Sequence, residues 1–208
     1  MEVFSFDTLL SLGVGLSLAT ACGFRVFIPM LVMSIAALSG HITLSSNFEW
    51  IASYPALLAF GVATIVEIAG NAIPAVGTSL KLLETPVSLI AGTLVTAASV
   101  TTFPPYLQWT LAIIVGGGSA GVVHGATTML RAPAHAAAPG VADTGVSAAE
   151  AGGSFLLSIL AVLLPIIALI LAIAGLLLVF YFAKALMTRW RNWRNLRGSV
   201  GNNVESSK

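Results

Sequence analysis

The chain has very little charge. Its 208 residues hold nine Lys and Arg and eight Asp and Glu, and charged side chains make up 8% of the sequence. A soluble globular domain carries about 25%. Apolar residues reach 57%, and the mean hydropathy is +0.98. No polar skin can be built from so few charges, which excludes a water-soluble enzyme and a disordered chain. The net charge is +1, so a nucleic-acid footprint is absent and no nucleic-acid partner is expected. Cysteine is nearly absent too: Cys22 is alone and can form no intrachain disulfide. Its ordinary role is that of a small buried hydrophobe, and Arg25 three residues on keeps a reactive thiol as the alternative. Residues 1–6 hold Glu2 and no Lys or Arg, so the positive region of a cleavable signal peptide is missing.

What the chain has in quantity is long apolar runs. A bilayer core of about 30 Å takes roughly 20 helical residues. Five stretches qualify, at about residues 8–38, 55–73, 86–103, 106–130 and 154–187. The runs are continuous rather than alternating, which favours helices over an outer-membrane barrel. The expected fold is all-α, a polytopic transmembrane bundle of about five spans. Residues 1–190 form one transmembrane domain, and 191–208 form a basic and then polar tail.

Local signals set the boundaries. Ser53-Tyr54-Pro55 starts the second helix, and Thr85-Pro86 starts the third. Thr101 to Pro105 is a tight break between the third and fourth. Residues 132–153, rich in Ala, Pro and Gly, are expected to be a long flexible loop. The first stretch is too long for one span, at roughly 46 Å of helix. It breaks at Gly23-Phe24-Arg25 through Pro29, giving a spanning helix and a shorter re-entrant or interfacial piece at 30–38. Pro165 permits a kink in the last stretch.

Lys184, Arg189, Arg191, Arg194 and Arg197 cluster near the end, interleaved with Trp190 and Trp193. The positive-inside rule makes this end cytoplasmic and makes the cluster a topology anchor, with anionic lipid as a further partner. Five spans then put the N-terminus outside. A hairpin in the first stretch would bring it back to the cytoplasm.

Intramembrane charges are costly and face the bundle interior or a water-filled path. Glu67 lies about 12 residues after Pro55, roughly 18 Å into its helix and near the midplane. Asn71 follows on the same face. Glu67 is the leading candidate, as a titratable carboxylate or as a cation or substrate ligand. A structural pair is the alternative. Arg25 lies roughly 26 Å along its segment. It ends a seam of small residues, Gly13, Ser17 and Ala21, that permits close helix contact. It pairs with Glu67 or Glu84, or binds an anion. Gly117, Gly121 and Gly125 repeat at four-residue spacing and read as a packing seam. His124, with Thr128 and Arg131 on its face, is a further candidate for the polar path. Glu84 sits near the expected third helix start with Lys81 close by, which reads as a cap.

Metal and nucleophile motifs are missing, so no cofactor, no metal and no enzyme activity are expected. An enzyme acting on lipid would have only Cys22 and His124 for nucleophile and base. The first and fourth stretches share small residues followed by an Arg and a Pro, at Arg25 and Pro29 and at Arg131 and Pro133. Such an echo, three helices apart, is the pattern of an inverted repeat.

Gly15-Leu16-Ser17-Leu18-Ala19 through Gly23-Phe24-Arg25-Val26-Phe27-Ile28-Pro29 resembles the opening signature of a bacterial membrane family, domain of unknown function 4126. Glu67 with Pro74, Glu84-Thr85-Pro86 and the Gly-rich helix with His124 resemble its later pattern. The likeness spans about residues 9–187. That family commonly carries charges just after the Glu67 position, where Gly70 and Asn71 stand here. The resemblance implies a small multi-pass protein of the bacterial inner membrane and no established activity. Two functions remain open from the residues. One is a small transporter or channel-like protein, homo-oligomeric, with an ion, small-molecule or lipid substrate on a path lined by Glu67, Asn71, Arg25 and His124. The other is a non-catalytic scaffold or assembly factor.

Overall fold

The computed structural model describes residues 6–72, 74–137, 141–181 and 184; for 6, 72, 74–82, 130–137 and 141–143 it describes the backbone only. The described residues are all-α, without a strand. Helix α1 is Phe6–Phe24, α2 is Phe27–Leu38, α3 is Tyr54–Ala72 and α4 is Pro74–Ser99. A 3-10 helix, Ser46–Ala52, precedes α3. Helix α5, Pro105–Leu111, continues through a π-helical turn, Ala112–Gly117, into α6, Gly118–Ala137. Helix α7 is Val141–Leu163 and α8 is Pro165–Tyr181.

Four helical stretches are long and apolar enough to cross a membrane: Asp7–Phe24, Tyr54–Asn71, Pro105–Met129 and Thr144–Leu163. The outer surface of α3 is Leu58, Val62, Ile65 and Val66, and that of α8 includes Leu177 and Leu178. Such surfaces suit lipid and not water. This is a membrane-embedded helical bundle.

Helix α1 is the centre, packed on α4, α6 and α7. Its Leu18, Ala19, Ala21 and Cys22 are fully buried. The small-residue faces explain the close approach. Thr96 Oγ1 of α4 donates to the Gly15 carbonyl of α1 at 3.2 Å. A Cβ at Gly23 would lie 2.7 Å from the Ala120 carbonyl of α6, and one at Gly92 would lie 2.6 Å from the Ala120 Cβ. A Cβ at Gly116 would strike Thr96 Oγ1 and the Gly92 carbonyl oxygen. The π-helical turn ends on Gly116 and Gly117 at this crossing.

Contacts fix the direction of the hairpin. Thr8 of α1 shares a hydrogen bond with Thr102, just past α4. After α2 the chain returns to the same level: Ser45 N–H donates to the Ala98 carbonyl at 2.9 Å. Gln108 locks this end, donating to Ser45 Oγ, Ala97 O and Val100 O. The first stretch is therefore a helical hairpin. Its turn, Arg25-Val26, is buried at 3% and 2% exposure. Helix α2 stops at Gly40, whose φ of +75° lets His41 N–H reach the Ala36 carbonyl at 2.9 Å. The start of α3 follows the sequence signal, with Ala56 N–H on Ser53 Oγ at 3.3 Å.

Several expectations are corrected. Helix α4 does not begin at Thr85-Pro86. It begins at Pro74 and carries Pro86 inside. Membrane helices tolerate such a proline because neighbouring groups satisfy the freed backbone. Residues 132–153 are not a long loop: α6 runs to Ala137 and α7 starts at Val141. High alanine content outweighs the scattered Gly and Pro there. Pro165 makes a break at Leu164, bridged by Leu164 N–H to Leu160 O and Ala168 N–H to Leu164 O. The inverted-repeat echo fails. Gly15 and Gly116 both abut Thr96, while Gly23 abuts Ala120 and Val123, so α1 and α6 run parallel. Helix α6 also continues unbroken through residues 131–133.

The seam gives a direct test. Gly92→Ala is expected to cost about 1–3 kcal/mol by overpacking. Gly125→Ala, where a Cβ meets nothing within 4 Å, is expected to raise stability by up to about 1 kcal/mol through alanine's better helix propensity. Thermal unfolding of both variants in detergent measures the difference.

Candidate functional site

Breaking a helix inside a membrane frees backbone groups that water cannot reach. The end of α1 exposes carbonyls, and the start of α2 exposes N–H groups. Val26, at the N-cap of α2, makes no side-chain cap of its own. The cap comes from another helix. Glu67 of α3 accepts the Val26 N–H at Oε1, 2.8 Å, and the Phe27 N–H at Oε2, 3.2 Å. A carboxylate at a helix N-terminus also meets the positive end of its dipole. Glu67 is 5% exposed.

The opposite side of the break is served by α7. Ser154 Oγ donates to the Ala21 carbonyl at 3.0 Å and reaches the Arg25 carbonyl at 3.5 Å. The Arg25 side chain ties three helices together. Its Nη1 donates to the Glu67 carbonyl at 3.4 Å, and its Nη2 donates to Ser147 Oγ at 2.9 Å and Ser147 O at 3.3 Å. Arg25 therefore meets Glu67 at the main chain, while the Glu67 carboxylate turns to α2.

Asn71, one turn after Glu67, links α3 to α4. Its Nδ2 donates to Glu67 O at 3.0 Å and to Glu84 Oε1 at 2.7 Å. Glu84 is thus a mid-helix acceptor and not a helix-start cap. Two buried atoms of this cluster, Arg25 Nε and Asn71 Oδ1, have no hydrogen-bond partner among the described residues. A cavity of about 410 Å³ abuts the cluster between α2, α3 and α4, lined by Val26, Phe27, Glu67 and Glu84 among others.

The other candidates lie elsewhere. His124 is buried on α6, and its carbonyl accepts from Thr127 and Thr128. Thr128 is exposed. No hydrogen bond joins His124 to the cluster among the described residues. In the packing seams, a Cβ at Gly117 would meet Thr93 Oγ1 at 2.7 Å and one at Gly121 would meet Leu89 at 2.6 Å, but Gly125 is open. Gly13 faces Leu169 of α8, and Ser17 Oγ bonds the Gly13 carbonyl. Cys22 is fully buried, with Sγ 3.8 Å from Val26 O. Lys184 is exposed. The side chain of Arg131, and Arg189, Trp190, Arg191, Trp193, Arg194 and Arg197, lie outside the described residues. No group of three metal-ligating side chains occurs among the described residues.

A family model, domain of unknown function (DUF4126), matches residues 12–185. The chain belongs to this family. No curated protein and no solved structure matches it. The match covers the broken helix, Glu67, Asn71, Glu84, Ser147 and Ser154, so the whole cluster lies within the DUF4126 region.

Sequence reasoning missed Ser147 and Ser154, together with Glu150, which is buried on α7 beside them. A signal was present. Ser147, Ser154 and Ser158 fall at i, i+7 and i+11 and share one helix face. Ser154 and Ser158 are fully buried.

The cap sets an expected order of stability. Glu67→Ala leaves two buried N–H groups without an acceptor, at about 1–3 kcal/mol each. Glu67→Gln keeps one carbonyl acceptor and is expected to lose about half as much. Melting temperatures of the two purified variants against the parent check the order.

Proposed function

We propose that this DUF4126 member is a small membrane transporter in which Glu67 is the coupling group and helix α2 is the moving part. One observation carries the reading: the buried start of a broken helix is held by a carboxylate from a different helix. Transporter folds build their ion and substrate sites on discontinuous helices near the membrane interior. A carboxylate in that position has two alternative partners. Ionised and unoccupied, it holds the Val26 and Phe27 N–H groups. When it takes up a proton or a small cation, its attraction for the α2 dipole falls and α2 is released. The energy for the movement is the difference in binding between the two arrangements.

The groups around Glu67 fit this division of work. Glu84 of α4 offers a further carboxyl acceptor, which Asn71 Nδ2 already reaches. Arg25 fixes the α1 side of the break to α3 and α7 and keeps it still while α2 moves. The protein works as a homo-oligomer in the bacterial inner membrane, with the basic C-terminal end in the cytoplasm and no catalytic step of its own.

A scaffold or assembly factor is the second reading, favoured by the purely tethering bonds of Arg25. Paired neutralisation, Arg25→Gln with Glu67→Gln, separates the two. Retained folding with full cellular function supports the scaffold.

Proteoliposomes test transport. Vesicles of the intact chain, loaded with a pH-sensitive dye and challenged with Na⁺, K⁺ and organic cations, are expected to show a coupled proton movement that Glu67→Gln abolishes. Flux equal to protein-free vesicles for every ion between about pH 5 and 8 defeats the reading.

A further inference from the structure

Contacts fix two levels of the bundle, and the chain can be followed between them. The first level holds Thr8 at the start of α1, Thr102 after α4, and Ser45, whose N–H meets the Ala98 carbonyl. Gln108 of α5 bonds to Ser45 and Val100 there. The second level holds the Arg25-Val26 turn with Glu67 of α3, Ser147 of α7 and, through Asn71, Glu84 of α4. The run of α1 from Thr8 to Arg25 separates the levels by roughly 26 Å, close to the hydrocarbon thickness of about 30 Å.

The α1–α2 hairpin leaves the first level and returns to it. Helix α3 leaves again and α4 comes back. Helices α5 and α6 form the next outward pass, since Gln108 is at the first level and Ala120 and Val123 reach Gly23 near the second. Helix α7 starts beside Arg25, and Ser154 meets Ala21. Beyond Pro165 the helix keeps its sense, because Leu164 N–H reaches Leu160 O and Ala168 N–H reaches Leu164 O. Leu169 of α8 then faces Gly13. Later residues of α7 and α8 thus meet earlier residues of α1, so α7 and α8 run back to the first level. The start of α1 and the end of α8 share one face.

The two levels differ in chemistry. Trp50 beside Ser45, Tyr54 at the start of α3, and Tyr106 and Trp109 around Gln108 all lie at the first level and are 41–75% exposed. The second level has no Trp or Tyr among the described residues. Exposed Trp and Tyr gather where lipid headgroups meet the hydrocarbon. Cations sort in the same direction. Lys184, Arg189, Arg191, Arg194 and Arg197 follow α8 in the sequence, on the first-level side. Lys81 of α4 and Arg131 of α6 are on the other side, and Arg25 is engaged by Glu67 and Ser147.

We infer that the first level is an interaction surface for the headgroup layer of the cytoplasmic leaflet, with Trp50, Tyr54, Tyr106 and Trp109 as its collar, and that the Arg25–Glu67 cluster lies under the outer face. The excess of Lys and Arg after α8 sets this side, and anionic headgroups match it in charge. The chain makes three excursions from the cytoplasmic face, and the start of α1 is cytoplasmic. A single first span would put it outside. Glu67 lies about 20 Å along α3 from Tyr54, beyond the midplane. In the transport reading the coupling carboxyl is therefore nearer the outer face. The placement itself stands on contacts and charge and needs no transport.

Cysteine labelling tests it. Cys22 is buried and is the sole cysteine, so a Cys22→Ala parent carries one reporter at a time. Asp7, Asn47, Thr144 and Lys184 are exposed positions. A membrane-impermeant maleimide is expected to label Thr144→Cys in spheroplasts, and Asp7→Cys, Asn47→Cys and Lys184→Cys in inside-out vesicles alone. Thr101→Cys and Gly145→Cys are second reporters for the two levels. Spin labels on α3 test the collar: Tyr54→Cys is expected at headgroup depth and Val62→Cys in the hydrocarbon. Asp7→Cys and Asn47→Cys labelled from opposite sides would overturn the hairpin topology. Lys184→Cys labelled with Thr144→Cys would overturn the shared face. Reversal of all four sides would overturn the cytoplasmic assignment. A Thr144→Cys and a Gly145→Cys that react from neither side would remove the cluster from the outer face, and equal depth of the two spin labels would remove the collar. Ion flux without the labelling pattern rejects the placement alone, and the pattern without flux rejects transport alone.

Discussion

The carboxylate of Glu67 on the first N–H groups of α2 is the contact on which the rest depends. A helix broken inside a bilayer has no water to satisfy its ends. Here each end is satisfied by a different helix: α3 supplies Glu67 to the N–H side, and α7 supplies Ser154 to the carbonyl side. The break therefore welds α1, α2, α3 and α7 at one depth. It also explains why an acidic side chain can sit at 5% exposure in so apolar a chain. The carboxyl group is met by the N-terminus of α2 and two backbone donors, with the Arg25 guanidinium bonded to the same residue's carbonyl.

The packing elsewhere serves that arrangement. Gly23, two residues before the turn, lets α1 lie against Ala120 and Val123 of α6. Gly92 and Gly116 bring α4 equally close. The far end of the bundle is locked by Gln108 and by the Phe48–Trp109 ring contact at 5.8 Å. One end is thus held by backbone-directed polar bonds. The other holds the cluster, the cavity and two polar atoms without a partner among the described residues.

Much of this was legible in the sequence, for physical reasons that differ by residue. Glu67 and Arg25 stood out because charge is so costly in lipid that counting depth is enough to find it. The break after Arg25 was legible from Gly23 and Pro29. The partner of the Glu67 carboxylate was not legible, since a cap supplied across 41 residues leaves no local pattern. Ser147 and Glu150 were hidden because an Ala, Gly and Pro-rich stretch reads as a loop, while alanine propensity and burial against α1 make it helix. Pro86 misled in the same way. Proline marks a helix start in water more firmly than inside a membrane bundle.

The most direct test of the cap is the amide signal of Val26. Arg25-Val26 is the only Arg–Val pair in the sequence, so carbonyl-labelled Arg with amide-labelled Val isolates one resonance in the lipid-embedded chain. A charge-assisted bond to Glu67 predicts a low-field amide proton that moves upfield in Glu67→Ala. A Val26 amide at the same position in both proteins would contradict the account.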